Sequence, residues 1–100
     1  MDRSHVLTLV SITYETDSIG QKIPVESAVD VFCSVSGISA AEWFKAGEAG
    51  LRPAYRVTLF APDYDGQTVV ILDGVRYAVY RTYLAKNEQI ELYLEKQVGV

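Results

Sequence analysis

The chain of 100 residues has one cysteine, one histidine and three prolines. A single cysteine excludes an intrachain disulfide and every CxxC metal or redox motif. Cys33 lies in the apolar run Val31-Phe32-Cys33-Ser34-Val35, where a buried structural thiol is expected. The one histidine, His5, sits near the start beside Asp2; a catalytic triad needs a buried base oriented by a carboxylate, so His5 reads as a solvated side chain. A basic stripe is missing too. Nine Lys and Arg are scattered singly from Arg3 to Lys96 against 13 Asp and Glu, for a net charge of -4. Duplex-DNA binders draw much of their affinity from phosphate neutralisation, and this distribution does not mark one. Long apolar runs are also absent. The opening "MDRSHVLTLVSIT" is broken by Thr8, Ser11 and Thr13, which fits neither a signal peptide nor a membrane span. The expectation is a chain made and used in the cytoplasm, or in something assembled there, with no membrane partner.

What is present points to β structure. A 49% hydrophobic content with seven Tyr fits a folded chain rich in strands. One hundred residues make one domain, 1–100, which buries roughly two-thirds of its unfolded surface. His5 to Tyr14 alternates, placing Val6, Thr8, Val10, Ile12 and Tyr14 on one face. The residues "ETDSIGQ" supply a turn, and Pro24 makes the following "QKIPVES" an edge or a loop. Alternation returns from Ala28 to Val35, with Val29, Val31, Cys33 and Val35 on one face. It recurs in "AYRVTLFA" and in "NEQIELYLEK", where Ile90, Leu92 and Leu94 should point inward. Asp73-Gly74 between "TVVIL" and "VRYAVYRTY" is the strongest hairpin signal, and Lys86-Asn87 makes a second turn.

One helix interrupts this pattern. In "SAAEWFKAG", Ser39 is an N-cap and Glu42, three residues on, completes a capping box. Ile38 and Trp43 have the spacing of a hydrophobic staple, and Ala40, Trp43 and Phe44 share a stripe. Gly47 or Gly50 ends the helix and Pro53 prevents its resumption. Two turns are too short to stand alone, so packing must hold them. The fold class expected is mainly β: a small antiparallel barrel or sandwich of about six strands, with one short α-helix between the second and third main strands.

No residue set announces catalysis. Asp63-Tyr64-Asp65-Gly66 opens like a calcium loop, but Gly66 comes at its fourth position rather than its sixth, and Gly74 occupies the twelfth where a Glu is needed. A polar hairpin turn is the plainer reading. Glu88, Glu91 and Glu95 read as a solvated strand face. Tyr77, Tyr80 and Tyr83 suggest a stacking platform, with Tyr77 and Tyr83 sharing a face; cross-strand aromatic packing is the simpler account. No enzyme activity, cofactor or metal is expected.

The order of four pieces carries a resemblance: "ETDSIGQKIPV" after the first strand, then "VFCSVSGISAAEWFKAGEAGLRPAYRVTLF", "TVVILDGVRYAVY" and the closing "IELYLEK". Together, over roughly Thr8 to Lys96, they resemble the head–tail joining proteins of tailed bacteriophages, also called head-closure, stopper or connector proteins. The stretch "AEWFKAGEAG" carries two glycines where family members often have a longer, Gln-rich helix, and "QVGV" leaves little room for an appended tail-binding arm. The resemblance implies a structural virion protein, assembled in the host bacterial cytoplasm as a homo-oligomeric ring below the portal and its adaptor. Such a ring extends the DNA conduit, through which DNA passes without sequence-specific binding, and docks the tail; the isolated chain can be a monomer. The segment the family associates with the channel or neighbouring subunits corresponds here to Gly37 to Pro53.

Two contact surfaces are therefore expected. One is the helix segment, with Ile38, Ser39, Trp43 and Phe44 joined by the polar residues Glu42, Lys45, Glu48 and Arg52. In it Trp43 and Phe44 either close the core or protrude to a neighbour. The other is a polar loop from Thr16 to Pro24 that includes Asp17, Ile19 and Lys22. The alternative is a small nucleic-acid-binding barrel, OB-like, using Arg56, Arg76, Arg81 and the tyrosines.

Overall fold

The structure, a computed structural model, describes residues 5–96. The readings placed on the first four residues and on "QVGV" lie outside the described residues. The elements are β1 (His5–Thr16), β2 (Lys22–Ser36), α1 (Ala40–Glu48), β3 (Pro53–Phe60), β4 (Val69–Leu72), β5 (Val75–Leu84) and β6 (Gln89–Lys96). They close an antiparallel barrel in the order β1-β2-β3-β6-β5-β4, with α1 outside it between β2 and β3. No helix among the described residues is long and apolar enough to cross a membrane.

Period-two alternation builds the core. Leu7 and Leu9 from β1, Val57 and Leu59 from β3, and Leu92 and Leu94 from β6 are all essentially inaccessible. Cys33 belongs to the same cluster, as its apolar surroundings require. Even-numbered residues of β1 share a face, as alternation predicts; that face is the exterior of the barrel, although Val10 on it is buried. The Asp73-Gly74 turn forms where expected. Asp73 and Gly74 both take positive φ, 51° and 80°, the conformation of a type I′ hairpin whose twist matches its strands. Asn87 and Glu88 also take positive φ, 62° and 56°, in the longer connection between β5 and β6, one residue beyond the expected Lys86-Asn87.

Three expectations are corrected. The Asp63–Gly66 stretch is not a hairpin turn, because β3 and β4 are not neighbours in the barrel. It begins in a 3-10 turn at Ala61–Asp63 and crosses between strands, held by the Tyr64 hydroxyl on the Gln67 carbonyl at 2.6 Å. Tyr77 and Tyr83 do not share a face, because a bulge between Val79 and Arg81 shifts the register of β5 on β6. Tyr77 points into the core and packs edge-on against Tyr55, centroids 5.8 Å apart, while Tyr83 is exposed.

The third correction concerns the loop from Thr16 to Pro24. The turn is confined to Asp17–Gln21, whose shape is set by the Asp17 carboxylate accepting the N–H of Ile19 at 3.0 Å and of Gln21 at 2.8 Å. Lys22, Ile23 and Pro24 already belong to β2, paired with Thr16, Glu15 and Tyr14. Pro24 is tolerated because β2 there has β1 as its only neighbour. β1 and β2 pair without interruption from His5↔Cys33 to Thr16↔Lys22. However, β4 covers β1 only from Leu7 to Val10, and β3 covers β2 only from Cys33 to Ser36. Beyond these limits the hairpin is a two-stranded arm, which accounts for the elongated 51 × 31 × 23 Å shape.

Candidate functional site

The helix segment is built locally as its sequence dictates and tethered by groups far away in the chain. Ser39 has extended backbone angles and its Oγ accepts the Glu42 N–H at 3.2 Å, the forward half of a capping box. At the other end Leu51 N–H and Ala49 N–H return to the Ala46 carbonyl, both at 3.0 Å, around Gly50 at φ 81°. Only glycine adopts that angle without strain, so Gly50 closes the helix.

The Glu42 carboxylate leaves the helix. It accepts the Tyr80 hydroxyl at 3.0 Å and the Arg81 guanidinium, both from β5. The bulge that corrected the tyrosine pattern is what brings these two consecutive residues to the same exterior site. Arg81 also lies 4.0 Å over the Tyr93 ring, and Tyr80 packs tilted against Tyr93 at 6.2 Å. Burial, then the hydrogen bond to Glu42, hold the Tyr80 phenol well above its ordinary pKa, so it remains a proton donor across the physiological range. A second tether runs from the Arg52 N–H to the Glu95 carboxylate at 3.2 Å, so Glu95 is engaged and not simply solvated. Packing beneath α1 is otherwise thin. Ala46 is its one buried residue, and a cleft of about 290 Å³ separates Lys45 and Ala46 from Tyr80 and Arg81.

With Glu42 turned inward, the aromatic pair turns outward. Trp43 is 54% exposed and Phe44 66%, and their rings meet edge-on at 5.5 Å. Trp43 therefore does not close the core; it protrudes. Lys45, Glu48 and Arg52 are exposed beside it, and Ile38 is half-buried at the segment's entry.

The arm carries the other expected residues. Asp17 shapes its tip, Ile19 stands 75% exposed there, and Lys22 begins its return strand. By register, Ile12 and Tyr14 share one face with Glu26 and Pro24, while Ile23 and Val25 lie on the other with Glu15 and Thr13. Tyr14 is 67% exposed, and Ile12 and Ile23 are about half exposed. The arm is bound to the barrel by the ion pair of Glu26 with Arg76 at 3.4 Å and by the Thr8 hydroxyl on Asp30 at 2.6 Å.

Sequence reasoning singled out the helix segment and the turn after β1, but missed Tyr80, Arg81 and Tyr93 as the support of the helix, and Ile12, Tyr14 and Ile23 as exposed. The arm had a partial signal: alternation from His5 to Tyr14 leading into the turn residues Asp17, Ser18 and Gly20. The bulge at Tyr80 had none.

Among the described residues no three His, Cys, Asp or Glu side chains are grouped to hold a metal ion. The Cys33 thiol is pushed up to about 11 by burial, with the Asp73 charge adding to it, which makes it a poor nucleophile. No protein-family model matches the chain, and no curated protein matches its sequence.

Proposed function

We propose that the protein is a structural component of a tailed-phage virion, a connector that joins the head at its portal and adaptor to the tail and assembles as a ring continuing the DNA conduit. The observation that carries this reading is the placement of exposed apolar groups. A closed barrel offers no edge of its own, yet this one presents an aromatic pair on a tethered helix and a two-stranded arm with apolar side chains on both faces. Such groups mark contact surfaces. The order of sequence pieces that resembles head-closure proteins supplies the identity of the assembly. A net charge of -4 suits a conduit that DNA must leave without sticking.

The nucleic-acid-binding alternative draws less support. Arg56 donates to the Ser36 hydroxyl at 3.1 Å, Arg76 pairs with Glu26 and Arg81 with Glu42, so the three arginines it would use are each engaged. Size-exclusion chromatography and negative-stain images of the chain mixed with the portal complex of the same genome test the proposal. Co-elution and added density on the portal are expected; a persistent monomer without binding overturns it. Fluorescence anisotropy with DNA at low salt should show no binding, whereas tight binding with a steep salt slope would favour the alternative.

A further inference from the structure

The Glu42 carboxylate tethers α1, and its partners also show what the barrel wall beneath the helix is built to hold. We propose that Tyr80, Arg81 and Tyr93, with the cleft beside them, form a binding site for a small organic carboxylate. Such a ligand carries one negative charge on a compact apolar body, and Glu42 occupies the charged end of its site as a displaceable stand-in. The site lies beneath the helix, apart from the outward face that Trp43 and Phe44 present, and does not rest on the connector reading.

The receptor belongs to the strands and not to the helix. Tyr80 and Arg81 are consecutive, yet the bulge in β5 brings both to one carboxylate. Tyr93 on β6 supports the pair, with its ring 4.0 Å from the Arg81 guanidinium and 6.2 Å from the Tyr80 ring. A hydroxyl and a guanidinium steadied by ring packing lose little freedom when a carboxylate arrives. The neighbouring acids are engaged elsewhere. Glu91 accepts the Tyr93 hydroxyl at 3.1 Å and Glu95 accepts the Arg52 N–H at 3.2 Å, and neither lines the cleft.

The cleft defines the rest of the ligand. Its volume of about 290 Å³ lies at the lower end of ligand pockets. Glu42, Tyr80 and Arg81 line it, so it continues from the carboxylate, and Ala46, Ala49 and Leu51 form its apolar part. A bare inorganic anion would leave that part unfilled, whereas a carboxylate on a body of about six carbons buries apolar surface there. Lys45 also lines the cleft, with no ion pair among the described residues. With Glu42 swung out, the lining therefore carries two cations and no acid. Little packing opposes that swing, because α1 buries only Ala46. The ligand and Glu42 exclude one another, so the apparent affinity falls with the fraction of time that Glu42 holds the site.

Benzoate, acetate and inorganic phosphate are titrated at constant ionic strength into nitrogen-15-labelled wild type and Glu42→Ala, to about 50 mM, which registers a millimolar Kd. In Glu42→Ala, benzoate should give saturable shifts at residues 45–51, 80, 81 and 93 and at the Arg81 Nε–H. Acetate should bind there at least about tenfold more weakly, for want of an apolar body, and phosphate should not saturate. Wild type should bind benzoate at least about tenfold more weakly than Glu42→Ala, the factor for a site held about nine-tenths of the time. Glu42→Gln should fall between the two, and it replaces the alanine variant if circular dichroism shows that one unfolded. Adding Arg81→Gln to either variant should abolish binding. Equal affinity for benzoate and acetate would remove the cleft from the site, and equal affinity of wild type and variant would remove Glu42 as its occupant. Either result, or no saturable shift with benzoate, overturns the proposal.

Discussion

Replacing Glu42 by alanine asks whether the helix is part of the barrel's cooperative unit or a tethered appendage. The Glu42 side chain is 13% exposed and accepts from both Tyr80 and Arg81. Removing it leaves the part-buried Tyr80 hydroxyl without its acceptor, which costs about 1–3 kcal/mol. The Arg81 contact adds about 0–1 kcal/mol, because Arg81 is 46% exposed and keeps Tyr93. The sum is about 2 kcal/mol. If the helix melted only with the barrel, that loss would lower Tm by about 8–16 °C in a domain of this size. The structure argues otherwise. α1 has nine residues, buries only Ala46 and sits over a cleft, so it can detach while the barrel stays closed. The expected result is amide exchange in α1 faster by about 30-fold, the equivalent of 2 kcal/mol, with β3 and β6 unchanged. Tm should fall by less than about 4 °C. Glu42→Gln keeps an acceptor for Tyr80 and should accelerate exchange less. Equal acceleration in α1 and the barrel strands, or no acceleration in α1, would refute the reasoning.

Three further predictions bear on the core and the exposed pair. Trp43→Ala should change folding stability by no more than about 0.5 kcal/mol, since the ring is half exposed, while abolishing assembly; a loss near 3 kcal/mol in urea unfolding would restore the core reading. Leu92→Ala removes a fully inaccessible side chain from the barrel and should cost about 2–5 kcal/mol by the same measurement, and a loss under 1 kcal/mol would contradict the core as described. Cys33 supplies an alkaline transition. Its thiol is raised from 9.0 to about 11, so its contribution to stability is complete below pH 9 and is lost as pH climbs toward 11. Between pH 9 and 10 the wild type should lose stability more steeply than Cys33→Ala; equal slopes would contradict the burial of the thiol.

The fold was largely legible because alternation and turn chemistry are local. Leu92 and Leu94 inward, Asp73-Gly74 as a tight turn and Ser39 as an N-cap each follow from a few adjacent residues, and each stands as expected. What was hidden depended on neighbours distant in sequence. Tyr80 and Arg81 reach Glu42 only because β5 bulges, and a bulge is decided by how two strands register. Glu42 was read as a capping residue, but a partner across 38 residues outcompeted the Ser39 backbone. Trp43 could not be placed because a two-turn helix has the same stripe whichever way it is turned. Glu42 settles the direction: once its carboxylate is drawn toward β5, the next residue along the helix faces away. The arm was shortened in the sequence reading by Pro24, whose effect on a strand depends on whether a second neighbour is present.

The central claim is that this barrel works through the arm and the helix segment. Hydrogen–deuterium exchange on the chain, free and mixed with the portal complex of the same genome, tests it most directly. Protection confined to residues 11–30 and 38–52, with the remaining strands unchanged, is the result predicted. Protection elsewhere in the barrel with these two segments unaffected, or identical exchange in both states, would contradict it.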